Sequence, residues 1–165
     1  MTAQLHELLI LDGETTSMTF CPHFPTDHPR IVQAEEIDNR SEGFDFGDVL
    51  ILSSTACWRG YQGMWEIRDS HFYLRTLRGC WRVTDGDPLQ ANWFSGVLRI
   101  PRGEQLAYVH MGFGSVYEQE LHIRIDQGRV TRRQLIDTRH KVADADRLGW
   151  ENLPGFENHF EGDNL

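Results

Sequence analysis

The sequence is short of nearly everything that would point to a specialised class. It has 3 cysteines in 165 residues, Cys21, Cys57 and Cys80, an odd and widely spaced set without a C-x-x-C pair. That excludes a disulfide scaffold and a zinc knuckle, and reduced thiols fit a cytoplasmic address. No apolar run approaches the ~20 residues of a spanning helix, and Met1-Thr2-Ala3-Gln4-Leu5-His6-Glu7 puts no positive charge before an apolar stretch, so neither a membrane span nor a secretion signal is expected. The eight histidines, at 6, 23, 28, 71, 110, 122, 140 and 159, fall into neither H-x-H nor H-E-x-x-H spacing, and no G-x-S-x-G elbow exists. No metal and no cofactor are expected. Lysine is almost missing too: 15 of the 16 basic residues are Arg, with Lys141 alone, a bias that a GC-rich genome or bidentate pairing would produce.

What is present is acid and alternation. The net charge is −9, unevenly spread: residues 1–50 carry ten carboxylates and two arginines (−8), residues 51–140 twelve arginines and nine carboxylates (+3), and residues 141–165 two basic and six acidic groups (−4). Such a chain repels phosphate backbones, so nucleic acid is not an expected partner, even though Arg129, Arg132, Arg133, Arg139, His140 and Lys141 cluster.

Period-two alternation dominates residues 1–138. Glu120 to Ile125 places Leu121, Ile123 and Ile125 on one face and Glu120, His122 and Arg124 on the other. Trp65 and Ile67 alternate with Met64, Glu66 and Arg68; Asp69-Ser70 then turns the chain into 71–77, where Phe72 and Leu74 face inward. Further hairpin turns are expected at Asp12-Gly13, at Pro101-Arg102-Gly103-Glu104 after a strand over 93–100, and at Asp126-Gln127-Gly128, with Gly supplying positive φ in each. The sum is about eight strands in a single all-β domain over 1–165, an antiparallel meander closing into a barrel or a two-layer sandwich to hide its edges. Residues 22–47 and 139–165 are the least strand-like. Val142 to Leu148 suits one or two helical turns before Gly149, and 155–165 reads as a frayed tail.

Two constellations compete for function. In the acidic stretch, Glu35, Glu36, Asp38, Glu42, Asp45 and Asp48 surround Ile37, Phe44 and Phe46. Carboxylates around aromatic anchors would steer a basic protein in and hold it, against the plainer reading of a solvated loop. The alternative is a pocket of an enzyme or small-ligand-binding protein, lined by Cys57, Trp58, Arg59, Tyr61, Trp93, His110 and Glu118. There Arg59 would be an anion fork between aromatic faces, while Trp58 and Trp65 could equally be core plugs. Cys57 with His110 would form a nucleophile pair if they met, and Glu118 with Glu120 share a strand face as glycosidase carboxylates do.

The strings Ser54-Thr55-Ala56-Cys57-Trp58-Arg59-Gly60-Tyr61, Trp93 to Pro101 and Tyr108 to Ser115 resemble those of a family of small, uncharacterised bacterial proteins of similar length, over roughly residues 50–130. The resemblance implies a bacterial, cytoplasmic origin and adds no catalytic residue. By analogy of size and charge, a non-enzymatic immunity or inhibitor protein that docks a basic partner through its acidic surface is the leading expectation.

Overall fold

The computed structural model describes residues 3–33, 51, 55–84, 86–109 and 113–144. In chain order the strands are β1 (Glu7–Leu11), β2 (Glu14–Met18), β3 (Ile31–Gln33), β4 (Tyr61–Arg68), β5 (His71–Gly79), β6 (Trp81–Val83), β7 (Leu89–Gln90), β8 (Gly96–Ala107), β9 (Val116–Asp126) and β10 (Arg129–Asp137), followed by a 3-10 turn at Arg139–Asp144. The all-β expectation holds.

Three two-residue turns set most of the register. Asp12-Gly13, Asp69-Ser70 and Gln127-Gly128 all have positive φ at both positions, the handedness that follows the twist of the flanking strands. They close the pairs Leu11 with Glu14, Arg68 with His71 and Asp126 with Arg129. β1 is buried at alternate positions, so Glu7, Leu9 and Leu11 share the inward face.

These strands form an eight-stranded sheet in the order β2-β1-β4-β5-β10-β9-β8, with β7 also on β5; β3 and β6 make a separate pair. The sheet is mixed. β1 runs parallel to β4, Leu8 opposite Met64 through Leu11 opposite Ile67, which corrects the purely antiparallel meander. Nor does it close into a barrel. The edge strands β2 and β8 approach each other where the Thr19 N–H donates to the Arg99 carbonyl (3.0 Å) and Arg102 Nη1 to Thr16 Oγ1 (2.9 Å), but no ladder joins them among the described residues. A third correction concerns Pro101 to Glu104, which is not a hairpin turn. β8 continues through it with shifted register against β9; Gly103 takes φ 76° there, and a Cβ added at that position would strike Glu118. β3 also lies within the stretch read as least strand-like.

The core is aromatic at its centre. Trp65 stacks on Phe72 (5.0 Å between centroids, 10° between planes), and Phe94 packs against Phe72 at 5.4 Å and Phe20 at 6.0 Å. Leu9, Leu74, Leu98, Ile100, Ile123 and Ile125 complete it. Trp65 is thus the core plug its alternation implies, whereas Trp58 is 48% exposed and plugs nothing.

On the outer side of β9, Glu120 accepts from His122 Nε2 (2.7 Å), and Lys141 of the 3-10 turn lies 3.6 Å away. Val142 lies in that 3-10 turn, and the rest of the helical turns expected over Val142 to Leu148, with all of 145–165, falls outside the described residues. No helix among the described residues is long and apolar enough to cross a membrane.

Candidate functional site

The segment between Thr55 and Tyr61 has no strand partner of its own, so its polar groups are satisfied by the chain's start. The Leu5 N–H donates to the Ala56 carbonyl (2.6 Å), Gln4 Nε2 to the Thr55 carbonyl (3.1 Å), and Gln4 Oε1 accepts from the Trp58 N–H (2.9 Å). Gln62 Nε2 adds a bond to the His6 carbonyl (2.8 Å). Gly60 turns the chain at φ 71°, its N–H reaching the Cys57 carbonyl at 3.0 Å. That turn drives Arg59 inward.

Arg59 meets Glu7. Their side chains are 2% and 0% exposed, and Glu7 Oε1 accepts from both Arg59 Nη2 (2.7 Å) and Nε (3.2 Å). The carboxylate also takes the Gly63 N–H at 2.9 Å and Trp65 Nε1 at 2.8 Å. Gly63 is required by this contact, since a Cβ there would collide with Glu7 and the Trp65 indole nitrogen. Burial pushes the Glu7 carboxyl up; the guanidinium and the N–H donors of Gly63 and Trp65 oppose it. Because every contact to its oxygens is a donor, the ionised carboxylate is the form that fits. Arg59, for its part, is held above its ordinary value by Glu7 in spite of burial, so the pair is ionic.

Aromatic rings and thiols surround the guanidinium. Tyr61 lies 5.4 Å and Phe113 5.9 Å from its central carbon, and His6 packs on Phe113 at 5.6 Å. Burial and then the Arg59 charge lower His6, which keeps it neutral. All three cysteines reach the 59–61 span: Cys21 Sγ contacts Tyr61 Oη (3.3 Å), Cys57 Sγ the Tyr61 carbonyl (3.1 Å) and Cys80 Sγ the Arg59 carbonyl (3.7 Å). Burial, reinforced by Glu7, pushes Cys21 up to about 12, and burial raises Cys57, Cys80 and the Tyr61 hydroxyl as well. One polar atom is left over. Arg59 Nη1, at the corner of the guanidinium away from Glu7, is buried without a hydrogen-bond partner.

Of the pocket residues expected from sequence, the fold brings Cys57, Arg59 and Tyr61 together and turns Trp58, Trp93 and Glu118 to other surroundings. Trp58 faces outward; Trp93 donates to the His23 carbonyl (2.9 Å) and packs by His28. Glu118 accepts from the Glu104 N–H (3.1 Å) beside the Gly103 bulge, while Glu120 serves His122, so the two carboxylates belong to separate networks. His110 and the whole acidic set, Glu35, Glu36, Asp38, Glu42, Phe44, Asp45, Phe46 and Asp48, lie outside the described residues. Glu7 is the residue sequence reasoning missed. Its signal was its phase, two and four residues before Leu9 and Leu11 on the same inward face. Among the described residues no cluster of three or more His, Cys, Asp or Glu could hold a metal ion. Comparisons with protein-family models, with curated proteins and with solved structures return no match.

Proposed function

We propose that the chain is a non-catalytic binding protein that holds a small organic ligand at the Arg59–Glu7 cluster. The observation that carries this reading is Arg59 Nη1. A buried donor without an acceptor costs on the order of 1–3 kcal/mol, which an acceptor brought by a ligand would recover, and among the four buried side-chain atoms of the described residues that lack a partner Arg59 Nη1 is the one beside aromatic rings. The surroundings favour recognition over chemistry: the thiols and the Tyr61 hydroxyl are all pushed away from their reactive forms, and a thiolate is what nucleophilic catalysis would need. The test is mass spectrometry of small molecules released by denaturing protein purified from its native cell, compared with Phe113→Ala, which removes one ring over the guanidinium but leaves the ion pair. A molecule near 1:1 with the wild-type chain and depleted in the variant is expected. Folded wild-type protein that releases nothing would retire the reading.

A second reading rests on the −8 charge of the first fifty residues: an inhibitor or immunity protein of the bacterial cytoplasm that docks a basic protein on the 35–48 carboxylates. Capture of a basic partner from lysate at low salt, weakened at high salt and by neutralising Glu35, Glu36, Asp38 and Asp45 together, is its expected outcome. Unchanged affinity in that variant would dismiss the acidic surface.

A further inference from the structure

We infer that the open edge of β10 pairs with the same edge of a second copy of this chain, antiparallel and centred on Leu135, so that two sheets join across a two-fold axis. The inference is independent of the Arg59 cluster.

β10 has one full-length neighbour. The Thr138 N–H donates to the carbonyl of Glu118, the residue opposite it, at 3.1 Å. By antiparallel alternation Ile136 and Gln134 also turn their backbone groups to β9, while those of Arg133, Leu135 and Asp137 point to the other edge. That edge is occupied only at its start, where Arg129 stands opposite His71 and the Val130 N–H donates to the Ser70 carbonyl (2.9 Å). Beyond Val130 no backbone bond is made to it among the described residues. The 3-10 turn that follows packs on β9 and β8, with Lys141 reaching Glu120, and so leads away from this edge. An open row of N–H and C=O groups is a template for another strand.

The side chains say which strand. Ile100 is fully buried, Leu121 opposite it is partly buried, and Leu135 opposite Leu121 is 54% exposed, so an apolar row of the core runs out to the edge and ends on a leucine in solvent. A second copy continues that row with Leu135 of the partner subunit. In the same register Arg133 stands opposite the partner's Asp137, and Asp137 opposite the partner's Arg133, on the face that Leu135 shares. These are also the residues whose backbone groups point outward, so each pair exchanges hydrogen bonds. Neighbouring registers lose the match: centring on Arg133 sets arginine against arginine, and centring on Gln134 puts Arg133 opposite the partner's Leu135. Asp12, 3.0 Å from Arg133, and Arg139, 3.9 Å from Asp137, are the charges already facing these two side chains, and both pairs stand in solvent, where they are worth little.

The test is sedimentation velocity of the whole chain from about 1 μM to about 1 mM in about 0.15 M salt, which screens the repulsion between copies of charge −9. A reversible monomer–dimer equilibrium is expected. Arg133→Asp and Asp137→Arg should each weaken it about tenfold or more, because each sets like charges opposite one another on both sides of the axis. An equimolar mixture of the two variants should regain the wild-type affinity, because every such pair then has opposite signs. Leu135→Lys, at a position exposed in the monomer, should abolish the dimer without unfolding the chain. In amide exchange followed by NMR, protection of the Arg133, Leu135 and Asp137 N–H groups should rise with concentration, while Gln134 and Ile136, bonded to β9, stay protected throughout. A chain that is monomeric at every concentration, a dimer indifferent to these variants, or a mixture that fails to regain affinity would overturn the inference.

Discussion

Removing the charge of Glu7 is the perturbation that speaks most directly to the buried cluster. Glu7→Gln keeps the shape of the side chain, but its NH2 must point either at the Arg59 edge or at the Gly63 and Trp65 donors, all of which now bond the carboxylate at 2.7–3.2 Å. It also strands a guanidinium that is 2% exposed. Breaking a buried pair from one side costs about 3–5 kcal/mol. For a chain of this size roughly 2–4 °C of Tm accompanies each kcal/mol, so a fall of about 6–20 °C is expected. The control is Glu66→Gln. It breaks an ion pair to Arg75 of 2.8 Å against 2.7 Å for Glu7 and Arg59, but that guanidinium is 39% exposed, and exposed pairs are worth under about 1 kcal/mol. In a double variant with Arg59→Met, no charge is stranded among the rings, and at least half of the Glu7→Gln loss should return. Urea unfolding of the wild type, the single variants Glu7→Gln, Arg59→Met and Glu66→Gln, and the double variant measures these differences. A Glu7→Gln loss no larger than that of Glu66→Gln, or strict additivity in the double variant, would refute the reasoning.

Three further outcomes follow from the same geometry. Gly63→Ala should cost about 1–3 kcal/mol in urea unfolding, because the added carbon meets Glu7 and Trp65. A thiol held at about 12 instead of 9.0 carries roughly a thousandfold less thiolate at pH 7.5, so Cys21 should resist iodoacetamide in the folded protein and label rapidly in urea, as read by peptide mass spectrometry. Burial alone would raise Glu120, but the hydrogen bond from His122, together with Lys141 and Arg99, holds it at about 2 instead of 4.5. A depressed carboxyl stabilises above its unfolded value, so about 3 kcal/mol should be present above pH 4.5 and drain away as pH falls toward 2, and Glu120→Gln should flatten that acid limb.

Much of the fold was legible because alternation and turn chemistry are local. Glu120 to Ile125, the Asp69-Ser70 turn and the Asp12-Gly13 turn each carry their instructions within a few residues, and each stands where the pattern places it. The parallel docking of β1 on β4 is different, because the partners lie more than fifty residues apart and nothing in either strand marks its neighbour. Gly103 shows how a local signal misleads: positive φ serves a bulge as well as a turn, and only the pairing of β8 with β9 on both sides of it decides which. Closure into a barrel depends on whether β2 and β8 pair, a long-range matter that strand counting leaves open. At the site, Arg59 and Cys57 stood out by composition, while Glu7 hid in a strand that reads as apolar. A lone carboxylate in phase with buried leucines is the pattern that would have found it.

The most direct test of the Arg59 site is a high-resolution crystal structure of the protein as purified from its native cell, inspected at the Nη1 corner of Arg59. Density for an oxygen of a bound organic molecule, within hydrogen-bond distance of Nη1 and beside the Tyr61 and Phe113 rings, is the expected result. An oxygen of the chain itself or a lone water satisfying Nη1 would contradict it.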